Sequence, residues 1–168
     1  IERWHALSAE QWLIVVPNGW SNATLGKERT DEKSLWREFQ KQFPALASHL
    51  AAFEADARKR YDQGEFWWEL RACSYYDEFD RHKIVYPVIS QGPKFSNDFG
   101  RLYLNDKAFM LEYDAGLFAL LNSRLSWFFL FGTAASLRGG KWRLELREIY
   151  VSKVPVPKLS SSNRNVLS

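Results

Sequence analysis

A largely apolar helical periodicity in this sequence covers residues 114–132. Its apolar members recur three or four positions apart, as on one face of an α-helix, and they are Leu117, Leu120, Leu121, Leu125 and Phe128. The polar residues Asn122, Ser123 and Ser126 fall on the other side. Asp114 suits the N-cap and Gly132 suits the C-terminal cap. Because so much of its circumference is apolar, we predict one helix that is buried as the central column of a domain.

Before this segment, the pattern predicts one strand and two helices. Residues 12–16 form a short β-branched run that ends at a Pro-Asn-Gly turn, and residues 21–33 are polar enough for a surface loop. Asp31 can cap a helix that ends near residue 42, and Pro44 suits the first turn of a second helix that closes at Gly64. The stripe predicted to be buried in that second helix is Leu46, Leu50, Phe53, Ala57 and Tyr61.

The strand predictions lie on both sides of the central helix. Residues 83–89 carry the strongest strand signal, with Pro87 on an edge, at a bulge or at the strand's end. Residues 95–113 alternate with period two between Asn-Asp turns, which predicts a hairpin or meander, and residues 142–146 predict another strand. The predicted fold class is α+β. We expect a single mixed domain in which a small antiparallel or mixed sheet packs on the central buried helix, preceded by a helical segment.

Composition narrows the possible functions only a little. The 168 residues suffice for one domain, and a net charge of +3 makes the chain mildly basic, so nucleic-acid binding would depend on clustered cations. Eight tryptophans predict an aromatic core, an aromatic contact surface, or both.

The sequence begins at Ile1 without an initiator methionine, so we expect a piece of a longer protein. Without a signal-peptide pattern or an apolar run long enough for a membrane span, a cytoplasmic protein with no membrane partner is expected.

The sequence contains few of the patterns that carry catalysis. The single cysteine, Cys73, has no partner for an internal disulfide, and the three histidines lack metal-ligand spacing. No glycine-rich phosphate loop is present. His82 follows three nearby acidic residues, a pattern that favours an exposed helix end over an oriented imidazole. A binding module therefore follows more naturally than an enzyme.

Three groups of cations need separate interpretation. Residues 137–141 form a basic, glycine-containing loop directly after the predicted central helix. Residues 58–60 are a second basic cluster, for which a solvated face is favoured over a nucleic-acid contact. Arg124 falls on the apolar stripe of the predicted helix, where pairing with a carboxylate is favoured over contact with a ligand.

Several segments, in their order along the chain, resemble one known family. They are FPAL (43–46), RYDQG (60–64), WWELR (67–71), KIVYP (83–87), LYLND (102–106), LLNSRLSWF (120–128), LRGG (137–140) and VPVP (154–157). Together they resemble the TaqI-like carboxy-terminal specificity domain, which follows the catalytic domain of adenine-N6 DNA methyltransferases and fused type IIG restriction-modification enzymes. The resemblance covers residues 42–157. It leaves residues 1–41 as a lead-in with a short strand, a loop and a helix, and residues 158–168 as a disordered tail.

This resemblance implies a target-recognition domain that binds double-stranded DNA sequence-specifically. The family's Asn-Pro-Pro-Tyr type motif and its cofactor loop do not occur in this sequence, so we expect no catalysis and no cofactor here. The parent would be a bacterial, cytoplasmic adenine-N6 DNA methyltransferase, with or without endonuclease activity. S-adenosylmethionine would be its cofactor, and its amino-terminal catalytic domain would be the intramolecular partner of this chain.

Base recognition needs cations and amides on loops that a stiff core supports. The leading candidates for DNA contact are Arg138, Gly139, Gly140, Lys141 and Arg143, where the glycines allow close backbone approach. A second group of candidates is Gln91, Lys94, Arg101 and Asn105. The rings expected in the core instead are Trp67, Trp68, Tyr86 and Trp127.

Two other functions stay open from the sequence. One is a protein-interaction module that docks onto another subunit of a defence or restriction complex, which a contiguous exposed aromatic patch would favour. The other is a small hydrolase or nuclease that uses scattered acidic residues, which no motif supports.

We predict that Arg138→Ala or Lys141→Ala weakens DNA binding without lowering stability, because exposed loop cations contact phosphates or guanine and hold no core together. Fluorescence anisotropy gives the affinity, and thermal unfolding gives the stability. Unchanged affinity in both variants would remove this loop from the interface.

Overall fold

The computed structural model describes residues 1–5, 11–26, 31–100, 102–137 and 142–158. The chain divides into two compact units, which we call the helical unit (residues 12–76) and the sheet unit (residues 1–11 and 77–168). The predicted α+β class is confirmed. The units divide the chain after residues 11 and 76, and the domain limits inferred from the family resemblance stay a prediction.

The helical unit contains α1 (Trp20–Thr24), α2 (Glu32–Gln42), α3 (Pro44–Ala51) and α4 (Glu54–Ala57). Asp31 caps α2 as predicted, because its carboxylate accepts a hydrogen bond from the Ser34 N–H at 3.1 Å. Pro44 is the first residue of α3, also as predicted. The core of this unit is rich in rings and consists of Val16, Leu25, Leu35, Phe39, Ala47, Trp67 and Trp68. The core placement predicted for Trp67 and Trp68 is confirmed.

Three predictions for the helical unit are wrong. Residues 12–16 form no strand, and the Val16 carbonyl instead accepts a single hydrogen bond from Leu70 N–H at 2.8 Å. The predicted surface loop contains α1. The helix that starts at Pro44 ends at Ala51, and its buried residue is Ala47, because a small side chain lets α3 approach α2 closely. Leu46, Phe53 and Tyr61 of the predicted stripe are exposed.

A buried carboxylate holds the loops of the helical unit together. The Glu69 carboxylate accepts hydrogen bonds from the N–H groups of Gly19, Ser21 and Glu65 at 3.0 to 3.1 Å. The Arg60 guanidinium donates to the carbonyl of Glu69 at 2.9 Å. These bonds satisfy backbone groups at the start of α1 that burial would otherwise leave unpaired.

The sheet unit has one four-stranded and one three-stranded sheet. The first contains β1 (Trp4–His5), β2 (His82–Pro87), β4 (Ser96–Phe99) and β5 (Ala108–Glu112), in the order β1-β4-β2-β5. The second contains β3 (Ile89–Ser90), β6 (Ser136–Leu137) and β7 (Arg143–Glu145), in the order β3-β7-β6. The helices are α5 (Ala115–Leu121), α6 (Arg124–Thr133) and α7 (Glu148–Val151), and a 3₁₀ helix covers Tyr76–Asp80.

The strand predictions for the sheet unit are partly confirmed. β2 and β3 occupy the predicted strand at 83–89, with Pro87 at the end of β2, and β7 occupies the predicted strand at 142–146. The predicted hairpin at 95–113 is wrong, because β4 and β5 each pair with β2, one on either side. A buried ion pair between Lys83 and Asp98 joins β2 to β4 in this register.

One core lies between the sheets and the helices of the sheet unit. Ile84 and Tyr86 of β2 pack with Leu121 of α5, Leu130 of α6 and Leu144 of β7. Burial raises the pKa of Tyr86 to about 12, and the core placement predicted for this ring is confirmed. The Trp127 ring, also predicted in the core, is partly buried and packs against this cluster.

The predicted central helix is two helices, α5 and α6, which are bent by 63° at a break. Asp114 caps α5 as predicted, accepting from the Leu117 N–H at 2.7 Å. At the break, the buried Asn122 amide donates to the Phe95 carbonyl at 2.9 Å and accepts from the Phe95 N–H at 3.3 Å. The amide therefore hydrogen-bonds both polar backbone groups of Phe95, as the backbone of a neighbouring strand would. Ser123 then caps α6 by accepting from the Ser126 N–H at 3.1 Å.

The buried and exposed sides of α6 are the reverse of those predicted from the sequence. Asn122 and Ser126 are 0% and 2% exposed, whereas Leu125 and Phe128 are 71% and 78% exposed. The polar residues lie inside because they satisfy the backbone at the break, as when the Ser126 hydroxyl donates to the Leu120 carbonyl at 2.6 Å. Arg124 is exposed, so the predicted buried pairing of this arginine is also wrong.

We predict that Asn122→Ala lowers the free energy of unfolding by roughly 1–3 kcal/mol, because it leaves the buried N–H of Phe95 without a hydrogen-bond partner and removes one of the two donors to the Phe95 carbonyl. Urea-induced unfolding measures this change. Gln40→Ala, at an exposed position of α2, is the control and should change the value by less than about 0.5 kcal/mol. A loss below about 1 kcal/mol in Asn122→Ala would show that the amide is not essential.

Candidate nucleic-acid interface

Two of the residues predicted to contact DNA, Gln91 and Arg143, lie at the same end of the three-stranded sheet. β3 and β7 are antiparallel, with Ile89 opposite Glu145 and Ser90 opposite Leu144. β3 ends at Ser90, and Gln91 follows it directly, while Arg143 is the first residue of β7. β6 ends at the same place, because Leu137 lies opposite Arg143 on the other side of β7. This sheet end therefore carries the amide of Gln91 and the guanidinium of Arg143.

The chain reaches this sheet end through Val88. After β2, the Val88 N–H donates to the Lys107 carbonyl at 2.9 Å, and the Val88 carbonyl accepts from the Leu146 N–H at 2.6 Å. The chain thus passes from the first sheet into the second without losing backbone pairing. Beyond β3, the Ser90 hydroxyl donates to the Gly92 carbonyl at 2.7 Å, which shapes the turn that carries the exposed Gln91.

Arg143 has an unsatisfied donor. Its Nε atom is buried and has no hydrogen-bond partner among the residues that the structure describes. The neighbouring Leu144 is in the core, so alternation along β7 places Arg143 on the other face of the sheet. An unpaired buried donor is costly, so Arg143 is a candidate for a hydrogen bond with a group outside the described residues.

The other second-group candidates have structural partners or lie outside the described residues. The Lys94 ammonium pairs with the Glu2 carboxylate at 3.0 Å, and this hydrogen bond lowers the pKa of the Glu2 carboxyl. The Asn105 side chain accepts from the Lys107 N–H at 3.0 Å and so forms the turn before β5. Arg101 lies outside the described residues. So do four leading candidates, Arg138, Gly139, Gly140 and Lys141.

The net positive charge of the chain belongs to the sheet unit. In the sequence, that unit has 14 basic and 11 acidic residues, whereas the helical unit has nine of each. The basic cluster at residues 58–60 is neutralised locally. Arg58 pairs with Glu32 and with Glu54, the latter at 2.8 Å, and these hydrogen bonds raise the pKa of its guanidinium. Lys59 pairs with Asp56 at 3.1 Å. This cluster is therefore a surface of internal ion pairs.

The surroundings of His82 differ from both interpretations made from the sequence, which were an exposed helix end and an imidazole oriented by acidic residues. Its ring stacks on Tyr113 at 3.7 Å and on Phe99 at 4.6 Å between centroids. Its Nε2 atom lies 2.6 Å from the Asn97 side-chain oxygen. An amide and two rings therefore hold this exposed imidazole. Within the described part of the chain, no group of three or more histidine, cysteine or acidic side chains is placed to hold a metal ion.

One exposed apolar surface was not predicted from the hydrophobic pattern of the sequence. It consists of Leu125, Phe128 and Phe131 of α6 together with Trp142, and we call it the α6 surface. Phe131 is 49% and Trp142 is 58% exposed, and their rings lie 6.2 Å apart. The signal that would have revealed this surface is the pair of polar residues Asn122 and Ser126, whose shared side is the buried one.

Among the described residues, no single helix is long and apolar enough to cross a membrane. α5 and α6 reach the required length and apolar composition only when they are taken together across their 63° bend. No protein-family model matches this sequence, and a search of curated proteins gives no match.

Proposed function

We propose that this chain recognises double-stranded DNA as the target-recognition domain of a bacterial adenine-N6 DNA methyltransferase or a fused type IIG restriction-modification enzyme. In this proposal, methyl transfer and S-adenosylmethionine binding belong to a catalytic domain elsewhere in the parent protein. This chain supplies the side chains that select the site. The parent acts in the bacterial cytoplasm.

The observation that carries this proposal is the end of the β3-β7-β6 sheet. Gln91 follows the last residue of β3, Arg143 is the first residue of the neighbouring antiparallel strand β7, and the Arg143 Nε has no hydrogen-bond partner among the described residues. An amide and a guanidinium are the groups that read adenine and guanine edges in the major groove. The sequence between β6 and β7 is Arg-Gly-Gly-Lys-Trp, which contains two further basic residues.

The charge distribution supports the same surface. Between residues 115 and 144 the sequence contains four basic residues and no acidic one. Phosphate contacts supply much of the affinity of DNA-binding proteins, and nearby carboxylates would oppose them. The next acidic residue, Glu145, is paired with Arg147 at 2.8 Å.

A second candidate function is a protein-interaction module that docks onto another subunit of a defence or restriction complex. The exposed α6 surface favours it, because contiguous apolar side chains at a surface are typical of protein contacts. Its affinity for a partner would depend little on salt, whereas DNA binding would depend on salt strongly.

We predict that Arg143→Ala weakens binding to a selected duplex about tenfold, because a bidentate arginine contact with a base is worth roughly 1–3 kcal/mol. Site selection from random duplexes provides the probe, and fluorescence anisotropy measures the dissociation constant. Arg143→Lys keeps the charge but not the two-pronged geometry, so it should recover only part of the affinity.

Arg147→Ala is the matched control, because it removes an arginine whose guanidinium is already paired with Glu145. It should bind DNA within about twofold of the unchanged protein. Equal losses in Arg143→Ala and Arg147→Ala would contradict a specific role for the sheet end. Failure of the unchanged protein to select any duplex at low salt would contradict the proposed function itself.

A further inference from the structure

The outer edge of the four-stranded sheet carries backbone groups that face away from the sheet. β5 is the last strand in the order β1-β4-β2-β5, and in the part of the chain that the structure describes no further strand pairs with it. Pro87, which has no N–H, lies opposite Ala108, and directly beyond this pair the Val88 N–H donates to the Lys107 carbonyl at 2.9 Å. Hydrogen-bonded and non-hydrogen-bonded pairs alternate along antiparallel strands, so the backbone N–H and carbonyl of Met110 point away from β2.

β5 lacks the features that usually protect an exposed sheet edge. Lysine or proline on the strand, a bulge, or a very short strand are the common forms of protection. The five residues of β5 include neither lysine nor proline, and their pairing with β2 is continuous from Ala108 to Glu112. Outward N–H and carbonyl groups at the spacing of a strand match the backbone of an extended peptide, which can add to the sheet as a further strand.

A pocket with one unpaired charge adjoins this strand. It has a volume of about 330 Å³, and its lining includes Glu112 of β5 together with Arg81 and Lys83. Arg81 is paired with Glu78 at 2.8 Å. Lys83 lies opposite Glu112 in the register, but its ammonium pairs with Asp98 instead. Among the described residues that line the pocket, both basic side chains are thus paired elsewhere, and the Glu112 carboxylate is left without a cation.

We propose that β5 binds an extended peptide segment of another protein by strand addition, and that a lysine or arginine of this peptide enters the pocket beside Glu112. This inference does not depend on the proposed function. It gives the sheet unit a protein-binding edge that is separate from the end of the β3-β7-β6 sheet.

The rest of the peptide's chemistry follows from the alternation of side chains along β5. Met110 and Glu112 lie on one face of the strand, and Phe109 lies on the other. An added strand therefore places its basic residue beside Glu112 and aliphatic residues beside Met110 and Phe109.

The unpaired carboxylate also distinguishes between possible occupants of the edge. Duplex DNA would bring phosphates towards Glu112, which the negative charge opposes. The strand β5 of a second copy would bring no basic residue to pair with Glu112. A peptide with a basic residue supplies both the strand backbone and the missing cation.

The test starts from peptides of about ten residues that are selected from a random phage-displayed library against the 168-residue chain. The selected peptides should share aliphatic residues at alternate positions and one lysine or arginine. Each is then synthesised with lysine or with glutamate at the basic position. Fluorescence anisotropy should show about fivefold tighter binding of the lysine peptide, because opposite charges across neighbouring strands attract and like charges repel.

Glu112→Gln should reduce this preference for lysine to less than about twofold, because it removes the charge and keeps the shape of the side chain. Glu148→Gln is the matched control: Glu148 is an exposed carboxylate at the start of α7 and does not line the pocket, so the preference should persist. Both positions are exposed, so thermal unfolding should be similar in the two variants.

The backbone part of the inference is tested on the peptide itself, without changing the fold of the protein. Two versions of the lysine peptide carry N-methyl groups on alternate amides, in the two possible phases. The phase that blocks the amides facing β5 should weaken binding about tenfold or more, whereas the other phase should change it by less than about threefold.

Several results would overturn the inference. They are the absence of any enriched peptide, equal affinity for the lysine and glutamate peptides, and equal effects of the two methylation phases. Self-association of the chain, or duplex DNA binding, that competes with the peptides would assign the edge to a second copy or to DNA instead. Since none of the peptide measurements involves DNA, their failure would leave the proposed function standing.

Discussion

The structure of the sheet unit depends on the hydrogen bonds between the Asn122 amide and the backbone of Phe95. This side-chain amide hydrogen-bonds both polar backbone groups of Phe95, whose carbonyl also accepts from the Trp4 N–H at 3.0 Å. The cost of breaking a helix of apolar residues is offset because the buried backbone groups of Phe95, directly before β4, gain partners. Arg3 donates to the Asn122 carbonyl at 2.5 Å and so ties the first residues of the chain to the same point.

The orientation of α6 follows from this break. With Asn122 and Ser126 committed to the interior, the apolar residues of the next turns lie at the surface. Leu130 still enters the core, so α6 is anchored by one side while Phe128 and Phe131 are presented on the other. A polar side chain that satisfies the backbone thus determines where an exposed apolar surface is located.

Local signals predicted the parts of this chain that depend on neighbours in sequence. The sequence correctly predicted the N-caps Asp31 and Asp114 and the first residue of α3, Pro44. It also predicted the strands around residues 84 and 144. Capping and alternation involve residues only a few positions apart, so local patterns are enough to predict them. The break at Asn122 was not predicted, since its partner Phe95 is 27 residues away. The hairpin at 95–113 failed for the same reason, because β2 occupies the position between β4 and β5.

The types of residue at the candidate site were predictable from the sequence, but their arrangement in space was not. Gln91 and Arg143 were chosen because amides and cations read DNA, and only the antiparallel pairing of β3 with β7 shows that both lie at one end of the sheet. Lys94 and Asn105 were chosen by the same criterion, and their contacts with Glu2 and Lys107 give them structural roles. The α6 surface was missed because period alone does not tell which side of a helix is buried when polar residues carry backbone hydrogen bonds.

The most direct test of DNA recognition is the affinity of the chain for random-sequence duplex DNA as a function of salt concentration. If Arg138, Lys141 and Arg143 each neutralise one phosphate, the logarithm of the binding constant should fall linearly with the logarithm of salt concentration, with a slope of about −3. A binding constant that does not change with salt, or no binding at low salt, would contradict the account.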